Sequence, residues 1–100
     1  MTTITNLKSE KQNKFAIDML NKFETSMNDY IEYCKSQTNF HNTKKLPVAE
    51  KMMEAFYAKT EISADIAIRL GTDVAPTQNS YTIDWISFSE RGFKKFFNLI

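Results

Sequence analysis

Apolar side chains recur at helical spacing along the first third of the chain. They follow one another at alternating steps of four and three residues, at Ala16, Leu20, Phe23, Met27, Tyr30 and Cys34. Ser9 and Gln12 stand three residues apart just before this pattern, which is the spacing of a capping box. Neither Gly nor Pro interrupts the segment. The pattern therefore predicts one continuous helix from about residue 9 to about residue 36.

Two shorter apolar stripes predict a second and a third helix. The intervening "SQTNFHNTKK" has no apolar period and predicts a loop, so Pro47 is expected to open the second helix, which ends near Lys59. The buried stripe of this helix is expected at Val48, Met52, Ala55 and Phe56. The stripe of the third helix is expected at Ile62, Ile66 and Leu70. Gly71 follows directly and is expected to cap the third helix at its carboxyl end.

The C-terminal quarter combines a turn, a short alternating run and an aromatic stripe. "VAPTQNS" predicts a turn, and Tyr81, Ile83 and Trp85 alternate with polar residues. The alternation predicts at most one short β element near residues 80–86, although a helix fits nearly as well. A last helix is expected to bury Phe93, Phe96, Phe97 and Ile100. The predicted fold is mainly α: a single helical domain over residues 1–100, built as a small bundle of about four helices with a long first helix.

Composition and charge narrow the class of protein. The chain has two Gly and two Pro residues, 42% hydrophobic and 25% charged residues, values typical of a helical globular domain. Thirteen basic and twelve acidic side chains give a net charge of +1, so binding to DNA or to an anionic membrane would need a local basic patch. No apolar run approaches the roughly 20 residues of a membrane span, and no membrane partner is expected. Cys34 is the only cysteine, which suits a reducing compartment and predicts a cytoplasmic location.

Residues 48–71 resemble the first half of a helix-turn-helix DNA-binding motif. A support helix leads into "TEISADIAIRLG", where Ala67 precedes Gly71 by four residues. The following "TDVAPTQNSY" contains Pro76 and no Lys or Arg, whereas a recognition helix needs basic contacts to phosphates. Nucleic acid is therefore not the favoured ligand. A winged-helix-like transcriptional regulator is the alternative hypothesis, and its DNA contacts would be Gln78, Asn79 and Arg91.

Groups that could support catalysis or metal binding are few. His41 is the only histidine, which excludes a His-pair metal site, and its distance in sequence from Cys34 argues against a zinc site. Two isolated glycines cannot form a Gly-rich phosphate-binding loop. We therefore expect no catalytic residues, no metal and no cofactor, and we do not expect an enzyme.

The first helix carries more apolar surface than one small core requires. Beside the buried stripe, a neighbouring line comprises Phe15, Met19, Tyr30 and Tyr33. Ile17 and Ile31 widen the apolar surface on the other flank. A helix facing one core needs a stripe of roughly 100°. The excess predicts contact with a protein partner or with a second copy of the chain, unless other helices of the bundle cover both flanks.

These features together favour a non-enzymatic protein-binding module that docks on a larger macromolecular partner. A composition rich in Lys, Asn, Ile and Phe and poor in Gly resembles that of small accessory proteins of phages and mobile elements. Anti-CRISPR proteins and other inhibitors of host systems are one such class. The resemblance lies in composition and size, and it identifies no family.

Overall fold

A computed structural model describes residues 3–5, 9–77 and 92–100, and every structural statement below concerns these residues. The elements in chain order are β1 (Thr3–Thr5), α1 (Glu10–Ser36), α2 (Phe40–Ala58), β2 (Glu61–Ser63), α3 (Ala64–Arg69), a π-helical segment (Leu70–Val74) and α4 (Lys94–Leu99). The described part of the chain is thus mainly helical, with a long first helix and one short pair of strands. This confirms the predicted fold class.

Helix α1 confirms the first prediction from the sequence. Ser9 is its N-cap, and the Ser9 hydroxyl accepts a hydrogen bond from the backbone N–H of Gln12 at 3.1 Å. Glu10 lies in the first turn and Lys35 in the last, where each charge is favourable to the helix dipole. The helix runs without a break for 27 residues. It is the scaffold against which α2, α3 and the π-helical segment pack.

Helix α2 begins seven residues earlier than the sequence pattern predicts, at Phe40 rather than at Pro47. Asn39 supplies the start signal, because its side chain accepts a hydrogen bond from the backbone N–H of Asn42 at 2.9 Å. The loop predicted over "SQTNFHNTKK" is therefore wrong for its last six residues, "FHNTKK", which are helical. Pro47 lies inside the helix, where it cannot donate to the carbonyl of Thr43. Both residues are exposed, so water can satisfy that carbonyl.

The third helix differs from its prediction at both ends. Ile62 lies in β2, and α3 starts after Ser63, whose hydroxyl accepts a hydrogen bond from the backbone N–H of Ile66 at 3.3 Å. Gly71 does not cap the helix, because the π-helical segment carries the coil through it to Val74. The backbone N–H of Ala75 closes this segment by donating to the carbonyl of Leu70 at 2.8 Å. The helix cap expected at Gly71 is therefore wrong.

A parallel pair of three-residue strands joins two distant parts of the chain. Ile4 of β1 lies opposite Ile62 of β2, and the backbone N–H of Thr3 donates to the carbonyl of Thr60 at 2.8 Å. The sequence pattern did not reveal this pair. The β element expected near residues 80–86 falls outside the described residues. The pairing holds β1 beside α1 and α3, and so places Ile4 next to the helices.

The hydrophobic core is centred on Phe23 of α1. Its ring makes an edge-to-face contact with Phe56 of α2, at 5.1 Å between centroids, and stacks on Phe96 of α4 at 5.8 Å. Of the stripe expected in α2, Met52 and Phe56 are buried, whereas Val48 and Ala55 are partly buried. The core therefore joins α1, α2 and α4 around one aromatic cluster.

The aromatic stripe of the C-terminal helix divides between core and surface. Phe93 and Phe96 are buried as expected, and Ile100 is partly buried. Phe97 keeps 42% of its surface exposed, so it contributes less to the core than its neighbours. Helix α4 is therefore anchored mainly through Phe93 and Phe96.

Candidate functional site

An open groove lies between α1, the carboxyl end of α2 and strand β1. Its volume is about 500 Å³, within the range of clefts that hold a small ligand or the side chains of a partner. It is lined by Ile4, Asn13, Ile17, Leu20, Asn21, Glu24, Phe56 and Tyr57. Five of these residues come from one stretch of α1, because positions three and four apart share a helix face. The groove is thus a surface of the α1–α2 packing.

The floor of the groove is apolar. Phe56 is buried, and Ile4 and Leu20 are partly buried against the core. Ile17 keeps 43% of its surface exposed on the α1 wall. Transfer of such a side chain out of water is favourable by about 25 cal/mol for each Å² of apolar surface, before the costs of association are counted. The groove therefore offers apolar surface that the core of the chain does not use.

Polar groups form one rim of the groove. The side-chain amide of Asn28 donates a hydrogen bond to the Tyr57 hydroxyl at 3.3 Å, which links α1 to the end of α2. Burial raises the pKa of Tyr57 above 10.0, and the Glu24 carboxylate raises it further, while the Asn28 amide lowers it. The phenol is consequently neutral at physiological pH. It lies beside the Glu24 carboxylate, a hydrogen-bond acceptor.

The four residues predicted to bind a partner have different environments. Phe15 is 47% exposed and Tyr33 is partly buried. Tyr30 is fully buried, with the Lys45 ammonium 6.0 Å from the centre of its ring. Met19 packs against Gly71 of the π-helical segment. Other elements of the bundle cover Met19 and Tyr30. Of the four residues, only Phe15 presents a largely exposed side chain. A role of this line in partner binding stays a prediction.

The structure modifies the comparison with helix-turn-helix proteins. The predicted DNA contacts Gln78, Asn79 and Arg91 lie outside the described residues. The turn on which the resemblance depends is absent, since the coil continues through Gly71. Arg69, two residues before Gly71, pairs with Asp73 at 3.9 Å on an exposed surface. The stretch "TEISADIAIRLG" therefore forms a short strand and a helix that continues into the π-helical segment, rather than a helix followed by a turn.

Cys34 lies in the core rather than in a reactive site. It is buried, and the Asn42 side-chain amide donates a hydrogen bond to its sulfur at 3.7 Å. Within residues 3–5, 9–77 and 92–100, no group of three or more His, Cys, Asp or Glu side chains is arranged to hold a metal ion. The same residues include no helix both long and apolar enough to cross a bilayer.

Sequence reasoning missed most of the groove. Ile17 is one of the apolar residues expected on the second flank of α1, but no sequence pattern singles out Glu24. Tyr57 and Asn28 are far apart along the chain, and only the packing of α2 on α1 brings them together. The signal that could have indicated the groove is the run Asn13, Ile17, Asn21 and Glu24, which mixes amide, apolar and acidic side chains at helical spacing.

Comparison with known proteins provides no assignment. The chain matches no protein-family model, and neither a curated protein nor a solved structure matches it. The functional argument therefore depends on the groove and on the physical chemistry of its residues.

Proposed function

We propose that the chain is a non-enzymatic protein-binding module that docks on a larger macromolecular partner through the groove between α1 and α2. The observation that carries the proposal is the pair Ile17 and Tyr57. These side chains stand 43% and 55% exposed on opposite walls of an apolar cleft. An exposed aliphatic and an exposed aromatic residue around an apolar floor are typical of the centre of a protein interface.

The rigidity of the groove supports this proposal. Ile17 and Leu20 belong to the uninterrupted α1, and Phe56 holds α2 against it through the contact with Phe23. Asn28 fixes the Tyr57 hydroxyl from the opposite helix. Binding to a surface that is already ordered loses less conformational entropy than binding to a mobile loop. A small chain can therefore bind with useful affinity through few contacts.

Inhibition of a host system is the activity that composition and size favour for such a module. A chain of 100 residues that covers a working surface of its partner can block that surface without any chemistry of its own. An anti-CRISPR-like or other phage-encoded inhibitor in the cytoplasm would act in this way. A second copy of the chain is the other protein ligand that this surface would accept, and the mass of the free protein in solution distinguishes the two.

The proposal is tested by affinity capture of partners from a lysate of the source cell after nuclease treatment. Tyr57→Ala removes an exposed aromatic side chain at the groove. Phe40→Ala, the matched control, removes one that is 70% exposed at the opposite end of α2. We expect one protein to be retained by the wild type and by Phe40→Ala and to be lost from Tyr57→Ala.

Two results would contradict the proposal. One is a partner set that Tyr57→Ala and Ile17→Asp leave unchanged. The other is nanomolar selection of a consensus site from a pool of random DNA duplexes at about 150 mM salt, near physiological ionic strength. The second result would favour the transcriptional regulator instead.

A further inference from the structure

We infer that the groove recognises a segment of the partner protein in which a large apolar side chain lies next to an arginine or lysine. In this complex the apolar side chain enters between Ile17, Leu20 and Phe56, and the basic side chain pairs with Glu24. The inference rests on the proposed docking function and specifies its chemistry. Three properties of the groove lead to it: the charge of its lining, the environment of Glu24 and the shape of its floor.

The lining of the groove is acidic. Glu24 is the one acidic residue among those that line the groove, none of them is basic, and the remaining polar residues are Asn13, Asn21 and Tyr57. An apolar wall beside a single carboxylate has a low local dielectric, which strengthens the attraction of a cation. An acidic segment would meet this carboxylate with repulsion. Charge complementarity therefore selects a basic residue in the occupant.

Glu24 is not neutralised by its own helix. The positions three and four residues away from it on α1 are Leu20, Asn21, Met27 and Asn28, none of them basic. The ion pairs of Lys35 with Glu32 and of Arg69 with Asp73 do not involve Glu24. Its neighbour is the neutral Tyr57 phenol. A carboxylate has about four acceptor positions, so most of them are left for a guanidinium or ammonium group.

The apolar floor accounts for the other half of the motif. A groove of about 500 Å³ accommodates one or two side chains of a partner. Ile17 and Leu20 lie three residues apart on α1, and Glu24 follows Leu20 by four, so the apolar and acidic sites are consecutive along one helix face. A ligand that uses both sites must carry its apolar and basic side chains close together. Asn13 and Asn21 offer amides to the backbone of such a segment.

The test is selection of a displayed random-peptide library on the full-length chain, followed by calorimetric titration of a synthetic peptide from the selected pool. We expect the selected peptides to share a large apolar residue beside Arg or Lys. Glu24→Gln is expected to weaken binding of that peptide about tenfold, because a charge-assisted hydrogen bond becomes a neutral one. Asp29→Asn is the matched control, since Asp29 is an exposed carboxylate of α1 that does not line the groove, and we expect unchanged binding.

A charge exchange shows whether the pairing is direct. Glu24→Lys should abolish binding of the basic peptide and restore binding of the same peptide with Glu in place of its basic residue. The inference is overturned if no peptide is enriched, if enriched peptides lack a basic residue, or if Glu24→Gln binds them as well as the wild type. In each of these cases the cellular partner can still be lost from Tyr57→Ala. The affinity capture therefore tests the docking proposal independently of this inference.

Discussion

Gly71 lies directly against the backbone of Met19, at the point where the π-helical segment crosses α1. A Cβ atom placed on Gly71 would come within 2.5 Å of the Met19 carbonyl oxygen and 2.8 Å of its Cα. Both atoms belong to the backbone of a long helix and cannot rotate away. Glycine is therefore required at position 71 because the π-helical segment and α1 approach each other closely, and not because the chain turns there.

Gly71→Ala should destabilise the fold, although alanine is ordinarily the better helix former. The intrinsic preference for Ala over Gly in a helix is about 0.5–1 kcal/mol. Overpacking against a backbone that cannot yield costs about 1–3 kcal/mol or more, so the clash decides the sign. Urea unfolding of Gly71→Ala and of Thr72→Ala, its exposed neighbour, measures the difference. Equal stability of Gly71→Ala and the wild type would contradict the crossing geometry.

Phe96→Ala should lower the free energy of unfolding by about 3–5 kcal/mol, because it removes a buried ring and leaves a cavity against Phe23. Phe97→Ala is the matched control on the same helix. It should cost about 1 kcal/mol, since much of that side chain is already in water. Thermal and denaturant unfolding of both variants provide the measurement. Similar losses for the two would show that α4 does not dock through Phe96.

Asn39→Ala should cost about 1 kcal/mol of stability, because the backbone N–H of Asn42 loses the cap that starts α2. Asn39→Asp keeps an acceptor in the same place and should preserve most of the stability. Circular dichroism and chemical unfolding of the three proteins distinguish the outcomes. If α2 began at Pro47, substitution of Asn39 would leave stability unchanged.

Tyr57 should ionise above the ordinary tyrosine pKa, as burial and then the Glu24 carboxylate disfavour the phenolate. Glu24→Gln should lower that pKa, and Asn28→Ala should raise it, since the Asn28 amide stabilises the charged form. The difference in ultraviolet absorbance between each protein and its Tyr57→Phe counterpart isolates the titration.

The sign of the accompanying effect on stability follows from the direction of this shift. The folded state holds the phenolic proton more tightly than the unfolded state. Any contribution of Tyr57 to stability is thus fully present below the ordinary pKa and is lost as pH rises through the raised one. Stability that increased across this range would contradict the assignment.

The sequence predicted those parts of the fold that local patterns determine. Helix α1 could be predicted because 27 consecutive residues keep one apolar period after a Ser9 cap. The start of α2 could not be predicted, because Asn39 and Pro47 are both helix-start signals. The helix can run through Pro47 only if water reaches the Thr43 carbonyl, and the exposure of that carbonyl is set by the tertiary structure. The strand pair was missed because three residues are too few to show an alternating pattern.

The candidate site was harder to predict than the fold. Ile17 could be identified from the width of the apolar face of α1. Tyr57 lies at the end of α2, and its neighbours Asn28 and Glu24 are fixed only when α2 packs on α1. Likewise, Met19 and Tyr30 were expected on a surface for a partner, but α2, α3 and the π-helical segment approach α1 closely enough to cover them. Contacts between elements distant in the chain decide these cases.

The pairing of β1 with β2 has a consequence for the order in which the molecule assembles. Helices α1 and α2 separate residues 3–5 from residues 61–63 along the chain. Contact between the two strands therefore closes a long loop. Closing a long loop costs conformational entropy of the chain before the contact contributes any stabilising energy, so such contacts tend to form late. Helix pairs joined by short connections tend to form early. Ile4 is both a member of this strand and a wall of the groove. We therefore expect the groove to be completed late in folding, and a ligand that contacts Ile4 to slow hydrogen exchange at the Thr3 amide before it affects the helices.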